Sequence, residues 1–197
     1  MNIDKIVDVI ASGGLVIAPT GTIYGILGDA TDTYVINKVY NAKKRDASKP
    51  LLILVSSIDM LKRYVEELTP LEEAIIEKFW PGELTIILRR NEFLPFELTH
   101  NETVGVMMPN SEEMIEIIKR LDKPIIGTSA NISNQNSIIS VDMIDEDMKK
   151  YIDYIEDSGI VESSPSTIIK VEDEKIVYLR KGKLTKELEN FELIYEE

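Results

Sequence analysis

The sequence predicts an α/β domain built on a mixed sheet. Short apolar strands alternate with amphipathic helices along most of the chain. Near the C-terminus, strands at 166–171 and 175–180 are separated only by a Glu-Asp-Glu turn, which predicts an antiparallel hairpin. The 197 residues are 44% hydrophobic, which is enough for a substantial core. Because no Gly/Ser linker, low-complexity run or internal repeat divides the chain, we expect residues 1–197 to form a single domain.

The N-terminal part predicts two helices and two strands. A first helix carries one apolar face and ends at Gly13, and a strand follows at 14–18. Asp32 is a predicted N-cap for a second helix, which ends in a basic loop. A strand at 51–55 and a short helix from Ser57 come next. The apolar faces of the two longer helices are formed by Ile3, Ile6, Val7 and Ile10, and by Val35, Ile36, Val39 and Tyr40.

The middle of the chain continues the alternation of strands and helices. Thr-Pro-Leu-Glu at 69–72 has the pattern of a capping box with proline at the first helical position, so it predicts a helix that ends at Phe79. Trp80, Pro81 and Gly82 then predict a turn. The remaining predicted elements are strands at 84–88, 104–108 and 124–127, a helix at 111–121, and a further helix capped by Ser140.

Three polar loops predict a ligand site. Gly-Thr-Ser-Ala-Asn at 127–131 follows a short apolar strand, and a loop at 19–25 carries two hydroxyls and two glycines. A third loop, at 41–50, contains the cations Lys43, Lys44, Arg45 and Lys49. Each alone is also compatible with an ordinary turn or a solvated helix end. Together they favour a site at the carboxyl edge of the sheet, where open α/β folds bind ligands, and the cations suit a triphosphate.

Composition excludes several classes of function. The net charge of −13 argues against a broad surface that tracks nucleic-acid phosphates. The absence of cysteine excludes disulfides and thiolate metal sites, and the single histidine, His100, lies in a predicted loop. No signal-peptide pattern or membrane-length apolar run is present, so we expect a cytoplasmic protein without membrane contact.

Seven motifs in order along the chain resemble those of the YrdC-like threonylcarbamoyl-AMP synthases, in their short, single-domain branch. They are Pro-Thr-Gly-Thr-Ile-Tyr-Gly at 19–25, Lys-Lys-Arg to Lys-Pro-Leu at 43–51, Phe-Trp-Pro-Gly at 79–82, Val-Gly-Val-Met-Met-Pro at 104–109, Thr-Ser-Ala-Asn at 128–131, Ser-Thr-Ile at 166–168 and Leu-Arg-Lys-Gly at 179–182.

The resemblance implies a fold and an activity. The fold would be a twisted mixed sheet with flanking helices around a concave basic cavity. The enzyme would be a nucleotidyltransferase that condenses L-threonine, bicarbonate and ATP into threonylcarbamoyl-adenylate and releases pyrophosphate. A downstream transferase complex would then pass the threonylcarbamoyl group to tRNA, which the protein itself could also contact.

The resemblance also implies roles for individual residues. Those implied in catalysis are Lys43, Arg45, Ser129 and Asn131. Those implied in ATP binding are Arg45, Lys49, Ser129, Asn131 and Arg180, while Thr22 and Ser166 would face threonine. Magnesium is expected through the ATP phosphates, because no Asp, Glu or His constellation predicts a metal cage made by the protein.

Three departures from the family pattern keep other functions open. Gly21 stands where the family usually has an acidic residue, Leu54 where a histidine is common, and Met107 where an arginine is usual. In the family the last two positions help to recognise the amino acid. One alternative is therefore a paralogue that acts on another acid. A second is an RNA-binding, translation-associated module without adenylation, which the acidic balance and the lack of aromatic-flanked basic strips disfavour.

Overall fold

The computed structural model describes residues 1–21, 23–161 and 166–195. Its strands are β1 (Val16–Pro19), β2 (Tyr24–Asp29), β3 (Leu52–Leu54), β4 (Leu84–Arg89), β5 (Thr103–Met107), β6 (Ile125–Ser129), β7 (Tyr154–Ile155), β8 (Thr167–Glu172) and β9 (Lys175–Arg180). Its α-helices are α1 (Ile3–Ala11), α2 (Thr33–Ala42), α3 (Ile58–Lys62), α4 (Pro70–Phe79), α5 (Glu112–Leu121), α6 (Glu146–Lys149) and α7 (Thr185–Tyr195).

The strands form one mixed sheet in the order β7-β1-β2-β6-β3-β5-β4-β8-β9. Parallel pairs join β7 to β1, β3 to β5 and β4 to β8, and the other neighbours are antiparallel. The predicted α/β class, the mixed sheet and the C-terminal hairpin of β8 and β9 are confirmed.

Several predicted helix ends are confirmed. The Asp32 carboxylate accepts a hydrogen bond from the backbone N–H of Tyr34 at 2.8 Å. Thr69 and Glu72 form the reciprocal capping box, with Pro70 in the first turn. Each cap satisfies a backbone donor that the helix itself leaves free, so these boundaries depend on residues only a few positions apart.

Several elements differ from the sequence prediction. The prediction of a helix capped by Ser140 is wrong, because a 3₁₀ turn over Val141–Met143 follows that residue without a side-chain cap. The Asp145 carboxylate caps α6 instead. Strand β2 begins inside the predicted loop at 19–25, and the sequence prediction contains no counterpart of the rest of β2, of β7 or of α7. Helix α7 lacks a strong apolar periodicity, and β2 is specified by pairing with β1 and β6, which are distant from each other in sequence.

The core lies along the middle strands and beneath the longer helices. Ile26, Ile53, Ile86, Val106 and Ile126, one from each of five strands, are fully buried. Helix α1 packs against α5 and the first two strands, and α2 packs against β2. Among the described residues, no helix is long and apolar enough to cross a membrane.

Candidate functional site

A cavity of about 390 Å³ lies over the central strands. Its floor is formed by residues of β3, β4, β5, β6 and β8, and its wall and rim by residues of the surrounding loops and of the ends of β6 and β9. The floor residues are Leu52, Thr85, Ile87, Gly105, Met107, Gly127 and Ile168. The wall and rim residues are Thr20, Ile23, Arg45, Pro50, Leu51, Thr128, Ser129, Ser137, Ser166, Leu179 and Arg180.

The cavity extends across one face of the sheet, whereas the sequence predicted a site at its carboxyl edge. Gly105 and Gly127 explain part of the difference, because neither carries a side chain into the space above the strands. Gly105 is also the register partner of Leu52 on one side and Ile87 on the other. The floor is therefore mostly apolar, and no side chain extends from it at these two glycines.

Leu54 occupies the space beside Gly127. A Cβ atom on residue 127 would contact Leu54 Cγ and lie 2.6 Å from Leu54 Cδ1. Leu54 is 1% exposed and is the register partner of Met107 on the adjacent strand. The two positions at which the chain departs from the family pattern are therefore neighbours in the sheet.

Gly127→Ala is expected to destabilise the protein by about 1–3 kcal/mol, the usual cost of overpacking. The added methyl group would overlap the side chain of Leu54, which is buried and has little room to move. The free energy of unfolding from urea titration measures the effect. Adding Leu54→Ala should recover part of the loss because the two changes share one space. Equal stability of Gly127→Ala and the unmodified protein would contradict the close packing.

Arg45 lies on the rim of the cavity and is held by its own loop. Its Nε donates to the backbone carbonyl of Lys49 at 3.0 Å, and its Nη2 donates to the carbonyl of Pro50 at 2.9 Å. Partial burial lowers the pKa of the Arg45 guanidinium from its ordinary value, which leaves it charged at neutral pH. Arg45 thus presents a fixed positive charge to the cavity.

The other three residues implied in catalysis differ in whether they line the cavity. Ser129 lies in the cavity wall, at the end of β6. Lys43 and Asn131 are buried, at 1% and 7% exposure, and do not line the cavity. The Asn131 amide donates to the carbonyls of Ile132 and Gln135 at 2.9 and 2.7 Å, while its buried Oδ1 has no partner among the described residues. The Asn131 side chain therefore shapes the loop that follows β6.

Lys49 is exposed and does not line the cavity. Its Nζ donates to the Asn134 side-chain oxygen at 2.8 Å, which joins the basic loop to the loop after β6. Lys44, the remaining cation of the loop, pairs with Asp147 at 3.0 Å. The side chains of the basic loop are therefore directed to different places: Arg45 lines the cavity, whereas Lys44 pairs with Asp147.

A hydroxyl pair and a guanidinium form the opposite rim. Arg180 donates from Nε to the Ser166 carbonyl at 2.9 Å and from Nη2 to Ser166 Oγ at 3.0 Å. Ser166 Oγ also lies 3.0 Å from Thr85 Oγ1. Burial lowers the pKa of Arg180 from its ordinary value, and the guanidinium remains charged. This arrangement offers hydroxyls and a positive charge to a ligand from one side.

The two guanidinium groups that line the cavity have no carboxylate partner. Among the described residues, Arg45 and Arg180 have no carboxylate within 4.0 Å, and neither have Lys43 and Lys49 nearby, although most other basic side chains of this acidic chain are paired. No Asp or Glu occurs among the described residues that line the cavity. Unpaired cations around a carboxylate-free cavity favour an anionic ligand.

A second groove, of about 500 Å³, lies along α5 and has the opposite electrostatic character. Glu112, Glu113 and Glu116 line it, together with Lys119. A highly charged anion would be repelled there, so the charge distribution favours the cavity over the sheet as the functional site.

Sequence reasoning missed several residues of the cavity. Thr85, 1% exposed within the apolar strand β4, contacts Ser166 from the floor. A buried hydroxyl in an apolar run was the signal that could have found it. Ser137 on the rim had no such signal. The prediction for Thr22 falls outside the described residues, while Gly21 has φ +94°, a conformation that disfavours the acidic residue of the family pattern.

Among the described residues, no group of three or more His, Asp or Glu side chains is arranged to hold a metal ion. A magnesium ion at this site would have to bind mainly through ligand oxygens. This is compatible with a nucleoside triphosphate, because magnesium at such sites keeps several water ligands and takes others from the substrate phosphates.

Comparison with known proteins supports one family. The Sua5/YciO/YrdC family model, which carries the description telomere recombination, matches residues 8–182. A Methanocaldococcus jannaschii protein with the provisional name threonylcarbamoyl-AMP synthase is 40% identical over 175 residues, which cover 88% of this chain and 82% of that protein. The threonylcarbamoyl-AMP synthase of Pyrococcus abyssi is 35% identical over 89% of this chain, but the match covers only 52% of its own length.

Solved structures agree with the sequence comparison. The crystal structure of P. abyssi Sua5 complexed with L-threonine has a TM-score of 0.89 at 34% identity, and the match covers 95% of this chain and 56% of that one. Escherichia coli YciO has a TM-score of 0.83 at 19% identity, which shows a shared fold. The chain thus spans little more than half of P. abyssi Sua5.

Proposed function

Because the chain belongs to the Sua5/YciO/YrdC family, we propose that it is an L-threonylcarbamoyladenylate synthase, a nucleotidyltransferase that acts in tRNA modification. The observation that carries this proposal is the pair of guanidinium groups, Arg45 and Arg180, that line a cavity of about 390 Å³ in which the described lining residues include no carboxylate. The curated names of the relatives give the reaction class, and the P. abyssi structure was solved with L-threonine.

In the proposed reaction, the amino group of threonine first attacks the carbon of bicarbonate, a C–N bond forms, and a C–O bond breaks as water leaves, which gives a carbamate. A carbamate oxygen then attacks the α-phosphorus of ATP, a new P–O bond forms, and the bond to the β-phosphate breaks as pyrophosphate leaves. This step needs positioning and neutralisation of developing negative charge rather than a protein nucleophile. Arg45 and Lys49 on one side and Arg180 on the other would supply that charge, and magnesium would enter with the ATP phosphates.

The apolar floor gives the cavity a second role. The sheet side of the cavity presents the apolar side chains of Leu52, Ile87, Met107 and Ile168, which would exclude water there. A carbamate is labile in water, so a dry floor would protect it between its formation and its capture by ATP. Ser129, in the wall between the basic loop and the floor, would lie between the nucleotide and the amino acid. Ser166, which Arg180 holds in place, would face the amino acid, and Thr22 remains a prediction.

The same floor favours a second candidate function. With Leu54 and Met107 side by side, the floor carries no cation for an amino-acid carboxylate. A paralogue that adenylates a different acid would suit this surface. Direct contact with tRNA, transfer to a downstream tRNA-modifying complex and a cytoplasmic location remain part of the proposal for either substrate.

Pyrophosphate release tests the proposal directly. With ATP and magnesium present, we expect release that requires both threonine and bicarbonate, and that stops when either is omitted. A panel of amino acids and simple carboxylic acids distinguishes the two candidates, since a paralogue would respond to another acid. Tight tRNA binding with no pyrophosphate release from any acid would instead support an RNA-binding module.

Ser129→Ala is expected to lower the rate of adenylate formation about tenfold or more while leaving the melting temperature almost unchanged. The Ser129 side chain lies in the cavity wall rather than the core, so its loss should affect ligand geometry more than packing. Ser140→Ala is a matched control, because Ser140 is half-buried, does not line the cavity and makes no side-chain cap. Early unfolding with normal turnover per folded molecule would show that Ser129 is only part of a turn.

A further inference from the structure

Lys43 has an environment unlike that of the other cations. Its side chain is 1% exposed, although it follows directly after α2 in a polar loop. Its Nζ donates to the backbone carbonyl of Ser129 through a short hydrogen bond and to the carbonyl of Asn131 at 2.8 Å. Its own carbonyl accepts from the N–H of Ser133 at 2.9 Å. Lys43 is therefore bonded at both ends to the turn that follows β6.

The burial of this ammonium group is costly. Burial, with a smaller contribution from the charge of Arg45, lowers the pKa of Lys43 to about 7. No carboxylate lies within salt-bridge distance in the described part of the chain, and the adjacent Lys44 is directed to Asp147. A buried charge without a counter-ion destabilises a fold. A lysine at this position is explained if its ammonium group is needed to hold the carbonyls of Ser129 and Asn131 in place.

The geometry also limits what Lys43 can contact. It is not among the residues that line the cavity, and two of its three N–H donors are already used by the turn. A phosphate in the cavity would meet Ser129 and Arg45 first, since both lie in the wall. A direct bond from Lys43 to phosphate would require the turn to move and two hydrogen bonds to break.

We propose that Lys43 is a positioning residue, which fixes the turn over residues 129–131 by bonding two of its carbonyls and acts on ATP through that turn without contacting phosphate. The inference rests on the ATP binding in the proposed function. It assigns the residue a different role from Arg45, two positions later, whose guanidinium faces the cavity.

Salt dependence distinguishes the two roles. Lys43→Met keeps the length of the side chain and removes the charge and both donors. We expect it to weaken ATP binding about tenfold in calorimetry. The slope of affinity against ionic strength should match that of the unmodified protein, because no cation that contacts phosphate is lost. Arg45→Ala should reduce that slope. A reduced slope in Lys43→Met would overturn the proposal in favour of direct phosphate contact.

Lys38→Met is the matched control. Lys38 lies within α2, before the basic loop, and its side chain is 20% exposed. Its Nζ bonds Asp153 at 2.6 Å, away from the cavity. ATP affinity should be unchanged in this variant. A tenfold loss there as well would show that the loss of any lysine with a mostly buried side chain in this region affects binding, which would remove the specific role of Lys43.

Amide hydrogen exchange supplies a readout independent of activity. In the protein without nucleotide, Lys43→Met should accelerate exchange in the 129–133 segment. Lys43→Arg should keep much of the protection and of the ATP affinity, since a guanidinium can still donate to both carbonyls. If Lys43→Met does not fold, the arginine variant still decides the question: normal protection combined with a loss of affinity like that of Arg45→Ala would overturn the proposal.

A double variant completes the test. Lys43→Met and Ser129→Ala should together cost little more ATP affinity than Lys43→Met alone, because both act through one turn. Additive losses would contradict this. Failure of the unmodified protein to bind ATP would remove the proposed function and this inference together. Normal ATP binding by Lys43→Met, with unchanged exchange, would remove this inference alone.

Discussion

Arg45→Ala is expected to weaken ATP binding by about one to two decades, because a charged hydrogen bond to phosphate contributes about 1.5 to 3 kcal/mol. Arg45 lies on the cavity rim without a carboxylate partner among the described residues, so its charge is available to a ligand. Lys49→Ala should have a smaller effect, since Lys49 is exposed and bonded to Asn134. Isothermal calorimetry with ATP and magnesium measures both.

The fold should survive these changes, because both side chains lie in a polar loop. Arg45→Ala also loses two hydrogen bonds to the carbonyls of Lys49 and Pro50, which face partly exposed surroundings. Lys62→Ala is a suitable control, since its ammonium pairs with Glu73 outside the cavity. Unchanged ATP affinity in both Arg45→Ala and Lys49→Ala would remove the basic loop from the site.

Met107→Arg is expected to lower the threonine KM about tenfold, because it would place a planar pair of donors on a floor that has no cation. Met107 is 6% exposed and lines the cavity, so a longer side chain can extend into the open space above the sheet. Pyrophosphate release at varied threonine concentration gives the KM. Met107→Leu and Met107→Lys serve as controls for volume and for charge without the guanidinium fork.

The double variant Leu54→His with Met107→Arg should lower the threonine KM by more than the effects of the two single changes combined. The two positions are register partners on parallel strands and would address one carboxylate. The histidine must also fit beside Gly127, where Leu54 now packs. If the unmodified protein already saturates at low threonine and Met107→Arg raises the KM, the floor is adapted to threonine as it stands. If neither form releases pyrophosphate with threonine, the substrate is another acid.

The sequence by itself determined the features that depend on nearby residues. The Asp32 cap, the capping box at Thr69, the hairpin of β8 and β9 and the basic loop all follow from side chains within a few positions of one another. The motif order also indicated the family, and with it the mixed sheet. Local hydrogen bonding and periodicity are sufficient for such elements, because the competing conformations differ within a single turn or strand.

Only the tertiary structure decided which side chains meet. Arg180 at the end of β9 contacts Ser166, and Ser166 contacts Thr85 from β4, although 81 residues separate the two hydroxyls. Lys43 turns inward while Arg45 faces the cavity, although both belong to one basic run. Strand β2 exists through its pairing with β1 and β6. In each case the direction of a side chain or the pairing of a strand is fixed by packing against remote segments, and that contribution to the free energy is absent from the local sequence.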